Sequence, residues 1–153
     1  GALHKNHHRL LVAWKQLAAR SIFPELLLTL PEDNEYQDQI EEINKVGGRI
    51  TNLGFTPYRE LLFVVAECKY AIYPSLQESL GLGLVEAAML GVSVLGADLP
   101  YTYKAIRPSV TFDPFSTDSI ARSVERTLTE APLHPTQLVL ENKLTELIKL
   151  IPP

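Results

Sequence analysis

Cysteine is nearly absent: Cys68 stands alone in 153 residues, which excludes an internal disulfide and fits a reducing compartment. It follows Ala66 and Glu67 at the end of an apolar helical run, and free cysteine behaves mainly as a small buried hydrophobe, so Cys68 reads as structural. There is no basic tract. Fourteen Lys and Arg stand against eighteen Asp and Glu, a formal net charge of −4, which argues against a nucleic-acid partner. Long hydrophobic runs are also missing. The longest apolar stretch, residues 81–97, carries Glu86 and is shorter than the about 20 residues that a bilayer span needs. Neither a secretory leader pattern nor an Asp-x-Asp metal motif is visible. What is present is one domain's length of chain, 46% apolar, enough to build a core.

Residues 74–98, PSLQESLGLGLVEAAMLGVSVLGAD, concentrate the chemistry. A strand-like run ends at Tyr73, Glu78 lies in the loop that follows, and a turn with Gly81 and Gly83 opens a helix carrying Glu86. Seven residues separate the two acids. Helical side chains lean toward the helix N-terminus, so Glu86 is expected to point back toward Glu78. The free N–H groups of the first helical turn suit an anion. A ligand with phosphate at its centre and hydroxyls at both ends fits this layout, as a nucleotide-sugar does. Glu86 can accept two hydrogen bonds from a vicinal diol, which assigns it to the ribose. Its neighbours Val85, Ala87, Ala88 and Met89 are apolar, and an idle charge among them would be costly.

Along the chain, apolar residues at helical spacing (Leu10, Trp14, Leu17) mark a helix over 7–20, and residues 25–30 read as a buried strand stopped by Pro31. Tyr36, Ile40 and Ile43 mark a second helix, ended by Gly47 and Gly48, before a strand at 49–53. Thr56 as N-cap and Pro57 at the first position open a third helix through Glu67. Strands at 69–73, 92–95 and 110–112, the Gly-turn helix at 81–90 and a Ser116-capped helix to about Glu130 complete the domain. Strands alternating with helices imply an α/β fold with a parallel sheet covered on both faces. The pattern opens on a helix where a βαβ crossover needs a preceding strand, so the chain reads as cut at its N-terminus. After Pro132 and Pro135, Leu140, Leu144, Leu147 and Ile151 form one stripe of a tail helix. His4, His7 and His8 are not read as a metal cluster, because adjacent residues do not share a helix face.

Pro74, Ser75, Glu78, Ser79, Leu80, Gly81, Leu82, Glu86, Ala87, Gly91 and Val94 together resemble, in register, the signature of the family 4 retaining glycosyltransferases, which have the GT-B fold. Leu53-Gly54-Phe55 with Thr56-Pro57, His4-Lys5-Asn6 and Phe112-Asp113-Pro114 are similar to further elements of that family, over residues 4 to about 130. The resemblance implies a Rossmann-like C-terminal half of a GT-B enzyme, with donor-binding residues 1–131 and a tail, 132–153, that packs on its own domain or crosses to an N-terminal one. It implies that Glu78 meets the donor sugar, as an orienting group or as a nucleophile. Lys5 would neutralise the leaving pyrophosphate together with an Arg on the missing strand, with no metal and no separate cofactor. Backbone N–H groups of Ser79, Leu80, Gly81 and Leu82 would hold the pyrophosphate, with Gly81 and Gly83 permitting its close approach. Leu53 and Phe55 would line the base pocket, although Phe55 reads equally as core. The donor would carry UDP sooner than GDP. A glycan or lipid-linked acceptor would sit on the N-terminal domain, placing the enzyme in the cytoplasm, with peripheral contact at the inner membrane face left open. Lys104 stands where many relatives have an acid after the Asp98-Leu99-Pro100 turn, which leaves that loop without an assigned role. Competing expectations are a nucleotide-sugar epimerase of the same fold and a non-catalytic nucleotide-binding module.

Overall fold

The computed structural model describes residues 3–130 and 134–139. A short 3₁₀ turn, Leu3–Lys5, leads into helix α1 (His7–Ala19), and then strands and helices alternate. They are β1 (Glu25–Leu28), α2 (Gln37–Lys45), β2 (Arg49–Asn52), α3 (Tyr58–Glu67), β3 (Tyr70–Tyr73), α4 (Leu82–Met89) and β4 (Ser93–Ala97). Helix α5 (Pro100–Ala105) runs into β5 (Ile106–Arg107), followed by β6 (Val110–Phe112), α6 (Thr117–Thr129) and β7 (Gln137–Leu138).

The principal strands are parallel, with β1 on β2 and the order β3-β4-β6 in the other group. Alternation along β4 shows how both sheet faces are covered. Leu95 and Ala97 enter a core shared with α1, α2 and α6, whereas Val94 enters a second core with Leu84 and Ala87 of α4 and Ile106. Helix α1 belongs to the first core because Leu10, Leu11, Trp14 and Leu17 fall on one stripe. The Trp14 indole N–H donates to the Pro24 carbonyl at 3.1 Å, and Gln16 reaches Thr117 at 2.9 Å, tying α1 to α6.

Among the described residues no ladder joins β1 to β3. Between them runs a cleft of about 1510 Å³, lined by Leu26 and Leu28 of β1, Tyr70 and Ile72 of β3, Trp14 and, from α3, Leu61. The principal strands therefore form two parallel pieces, with the interruption beside α1, whose Leu10 and Trp14 line the cleft. Helix α3 beside this cleft has no buried residue although most of it is apolar, and Phe63 is exposed.

Several boundaries differ from the sequence expectations. Strand β1 stops at Leu28 because the Leu30 backbone is taken by the Asn52 side chain, which accepts from its N–H at 2.8 Å and donates to its carbonyl at 3.1 Å. Pro57, not Thr56, caps α3; the Thr56 hydroxyl turns back to the Gly54 carbonyl at 3.4 Å. The segment after Asp98, read from sequence as a loop, is helix α5 with Pro100 in its first turn. Residues after Pro135 begin with a strand: β7 pairs antiparallel with β5, and Thr136 Oγ1 accepts from the Val94 N–H at 2.8 Å. The expected helical stripe of Leu140, Leu144, Leu147 and Ile151 lies outside the described residues.

Candidate functional site

The site gathers where chain segments leave the C-terminal ends of the strands, the place where open parallel sheets hold ligands. Strand β3 ends at Tyr73 and delivers residues 74–81 to the N-terminus of α4. Gly81 caps that helix with φ 62°, a left-handed conformation that glycine adopts without strain, and among the described residues no side chain closes the helix start. Gly83 has a different reason to be glycine. A Cβ there would lie 2.8 Å from the Tyr73 ring, whose hydroxyl donates to the Gly83 carbonyl at 2.7 Å. Of the two glycines expected to take φ values that other residues avoid, Gly81 does so and Gly83 does not; Gly83 makes room for Tyr73.

Lys5 reaches this loop from the 3₁₀ turn. Its ammonium donates to Glu78 Oε1 at 2.6 Å. Burial pushes the Glu78 carboxyl up, but hydrogen bonds from Lys5 and Ser75 and the Lys5 charge outweigh it and hold the group below its ordinary value. Glu78 is thus an ionised carboxylate at neutral pH.

Asn6 fixes the approach of Lys5. It is 4% exposed, adopts φ 60°, and its amide donates to the carbonyls of Pro74 at 3.0 Å and Pro114 at 2.8 Å. The Leu76 N–H donates to the His4 carbonyl at 2.7 Å, and the Tyr101 hydroxyl to the Ser75 carbonyl at 2.8 Å. Helix α5, which supplies Tyr101, thereby supports the Glu78 loop, a role the sequence left unassigned. Burial first, and then the charges of Glu86 and Glu78, raise the Tyr73 hydroxyl to about 12, so it stays a donor. Both acids act on one tyrosine.

Lys5, Glu78, Ser79, Leu80, Gly81 and Leu82 line a pocket of about 210 Å³ together with Tyr73 and Gly83. Glu86 and Leu53 line the adjoining large cleft, which shares Lys5, Tyr73 and Gly83 with the small pocket. Phe55 lines neither and is 90% exposed, so the core reading of it is excluded. One contact was not foreseen: the Tyr58 hydroxyl donates to Glu86 Oε1 at 2.7 Å, which raises the phenol's pKa. Tyr58 opens α3 just after the Leu53–Phe55 turn, and only its position in sequence could have hinted at the contact.

Architecture and site geometry together define a Rossmann-like α/β domain of the kind found in GT-B glycosyltransferases. The Anabaena protein HepE, solved with UDP and glucose, matches with a TM-score of 0.65 and 19% identity over 85% of this chain and 37% of that one. The catalytic domain of cholesterol-α-glucosyltransferase from Helicobacter pylori matches with a TM-score of 0.60 and 20% identity, covering 82% of this chain and 81% of that one. A UDP-forming α,α-trehalose-phosphate synthase from Burkholderia xenovorans, in complex with glucose-6-phosphate, matches with a TM-score of 0.68 and 15% identity over 85% and 34%. The chain thus spans about a third of the length of HepE and of the synthase. No curated protein matches the sequence. The chain belongs to the glycosyl transferases group 1, whose family pattern it matches over residues 2–143. Among the described residues no helix is long and apolar enough to cross a membrane.

Proposed function

We propose that the chain is the donor-binding, C-terminal half of a retaining, family 4 type glycosyltransferase that uses a nucleotide-sugar. The observation that carries this reading is the Lys5–Glu78 pair at the mouth of the uncapped α4 N-terminus, with Glu86 on the same helix. The pyrophosphate lies over the N–H groups of the first turn of α4, where the helix dipole favours negative charge. An ammonium has three donors, so Lys5 can meet the leaving phosphate while it keeps Glu78. Glu78, held ionised, cannot protonate a leaving group at neutral pH. It orients the sugar hydroxyls and stabilises positive charge developing at the anomeric carbon. Glu86 takes the ribose diol, and Leu53 on the cleft wall flanks the base, while Phe55 of the same turn lies outside both pockets. Lys5 and the helix terminus supply the positive field, so binding needs no metal.

UDP is the favoured carrier, supported by the UDP named with HepE and with the synthase. The acceptor, a glycan or a lipid-linked sugar, sits on an N-terminal domain across the cleft, and transfer takes place at the cytoplasmic side. The 153-residue chain alone is then a binding half without transfer activity, since closure of two domains excludes water from the activated donor. Calorimetric titration with UDP, GDP and ADP tests the reading. Saturable binding of UDP, or of GDP, is expected; failure of all three to bind overturns it.

A further inference from the structure

The Glu86 carboxylate has a single hydrogen-bond donor among the described residues, and it is Tyr58, whose hydroxyl meets Oε1 at 2.7 Å. No cation pairs with Glu86 there; Lys5 is committed to Glu78. The contact joins the first residue of α3 to the middle of α4, two helices that otherwise touch little. A phenol–carboxylate bond of this length is charge-assisted, hence stronger and more directional than a neutral one. The ring itself is 59% exposed, so its burial does not account for its place.

A carboxylate offers about four lone-pair sites, and Tyr58 occupies one. Those left are enough for the two hydroxyls of a vicinal diol entering from the cleft that Glu86 lines. A long glutamate side chain held at one oxygen also has less rotamer freedom left to lose when the diol binds. We infer that Tyr58 is a positioning residue for the nucleotide ribose: it fixes the Glu86 carboxylate in the orientation that grips the diol. The inference rests on the assignment of Glu86 to the ribose made above and deepens it, because it locates ribose selectivity in a contact between α3 and α4.

Tyr58→Phe removes one oxygen atom and keeps the ring. The chain and this variant are titrated with UDP and GDP and with the 2′,3′-dideoxy form of each, with circular dichroism to show that both fold. The parent is expected to prefer the ribose form, and Tyr58→Phe to weaken that form by about fivefold, the scale of one net hydrogen bond. The dideoxy form should bind parent and variant alike, because Tyr58 acts only through the diol. Equal weakening of both forms would overturn the inference and assign the ring to the base or to packing. An unchanged affinity for the ribose form would show the contact to be idle. If the parent itself fails to distinguish ribose from dideoxyribose, the assignment of Glu86 falls, and the role of Tyr58 with it.

Discussion

Lys5 and Glu78 divide a single site between them, and the direction of the Glu78 shift sets a pH dependence. Folding lowers its pKa from the ordinary 4.5, so the folded state holds that proton more weakly. The pair therefore stabilises the fold fully above about 4.5, and the contribution is lost as pH falls through the lowered folded value. Chemical denaturation of the chain and of Glu78→Gln should show a stability gap at pH 7 that closes in acid. The two acids should separate in binding. Glu86→Ala is expected to weaken nucleotide binding by about 1.5–3 kcal/mol, as for a hydrogen bond to a charged group. Glu78→Ala should leave the bare nucleotide's affinity nearly unchanged and abolish turnover in a two-domain enzyme. Titration of both variants checks the first part, and parent-like binding by Glu86→Ala would displace the ribose. Asn6 carries a structural share of the same site. Asn6→Ala strands two buried carbonyls and strains a φ of 60°, at a cost of about 2–4 kcal/mol. Asn6→Gly relieves the strain but not the lost amide, so thermal denaturation should rank it between parent and Ala.

At the scale of elements, helices were legible where the apolar stripe, the cap and the length all agreed. Ser116 accepts from the Ser119 N–H at 3.2 Å, as its place before the stripe of α6 implies, and Ser116→Ala should cost about 1 kcal/mol in denaturation. Helix α4 was legible because Gly81 marks its start and the two acids frame that glycine turn. Helix α5 was not: its six residues are too few to show a period, and the family resemblance drew attention to Lys104 instead. Thr56 misled because a Thr-Pro pair offers two ways to begin a helix, and here the hydroxyl serves the preceding turn. The reason for Gly83 was invisible in sequence, since Tyr73 comes to it only through the tertiary packing of β3 on α4. Gly83→Ala should force the ring aside and cost about 1–3 kcal/mol. The same shift should lower nucleotide affinity, because Tyr73 lines both pockets.

Over the whole molecule, alternation of strand and helix predicted the parallel sheet and the two covered faces, and those are what β4 displays. Local patterns could not show that the sheet is interrupted between β1 and β3, because which strands pair is decided at long range. Strand β4 is paired on both sides, whereas β1 and β3 each leave one edge to the cleft. Hydrogen exchange should therefore run faster at the cleft-facing amides of β1 and β3 than in β4. The donor-site account depends most on where positive charge comes from: a helix N-terminus and Lys5, with no ion required. Titrating UDP and GDP into the chain with and without a chelator tests that claim directly. The account predicts the same affinity in both conditions for whichever nucleotide binds, whereas binding that vanishes with chelator and returns with magnesium would contradict it.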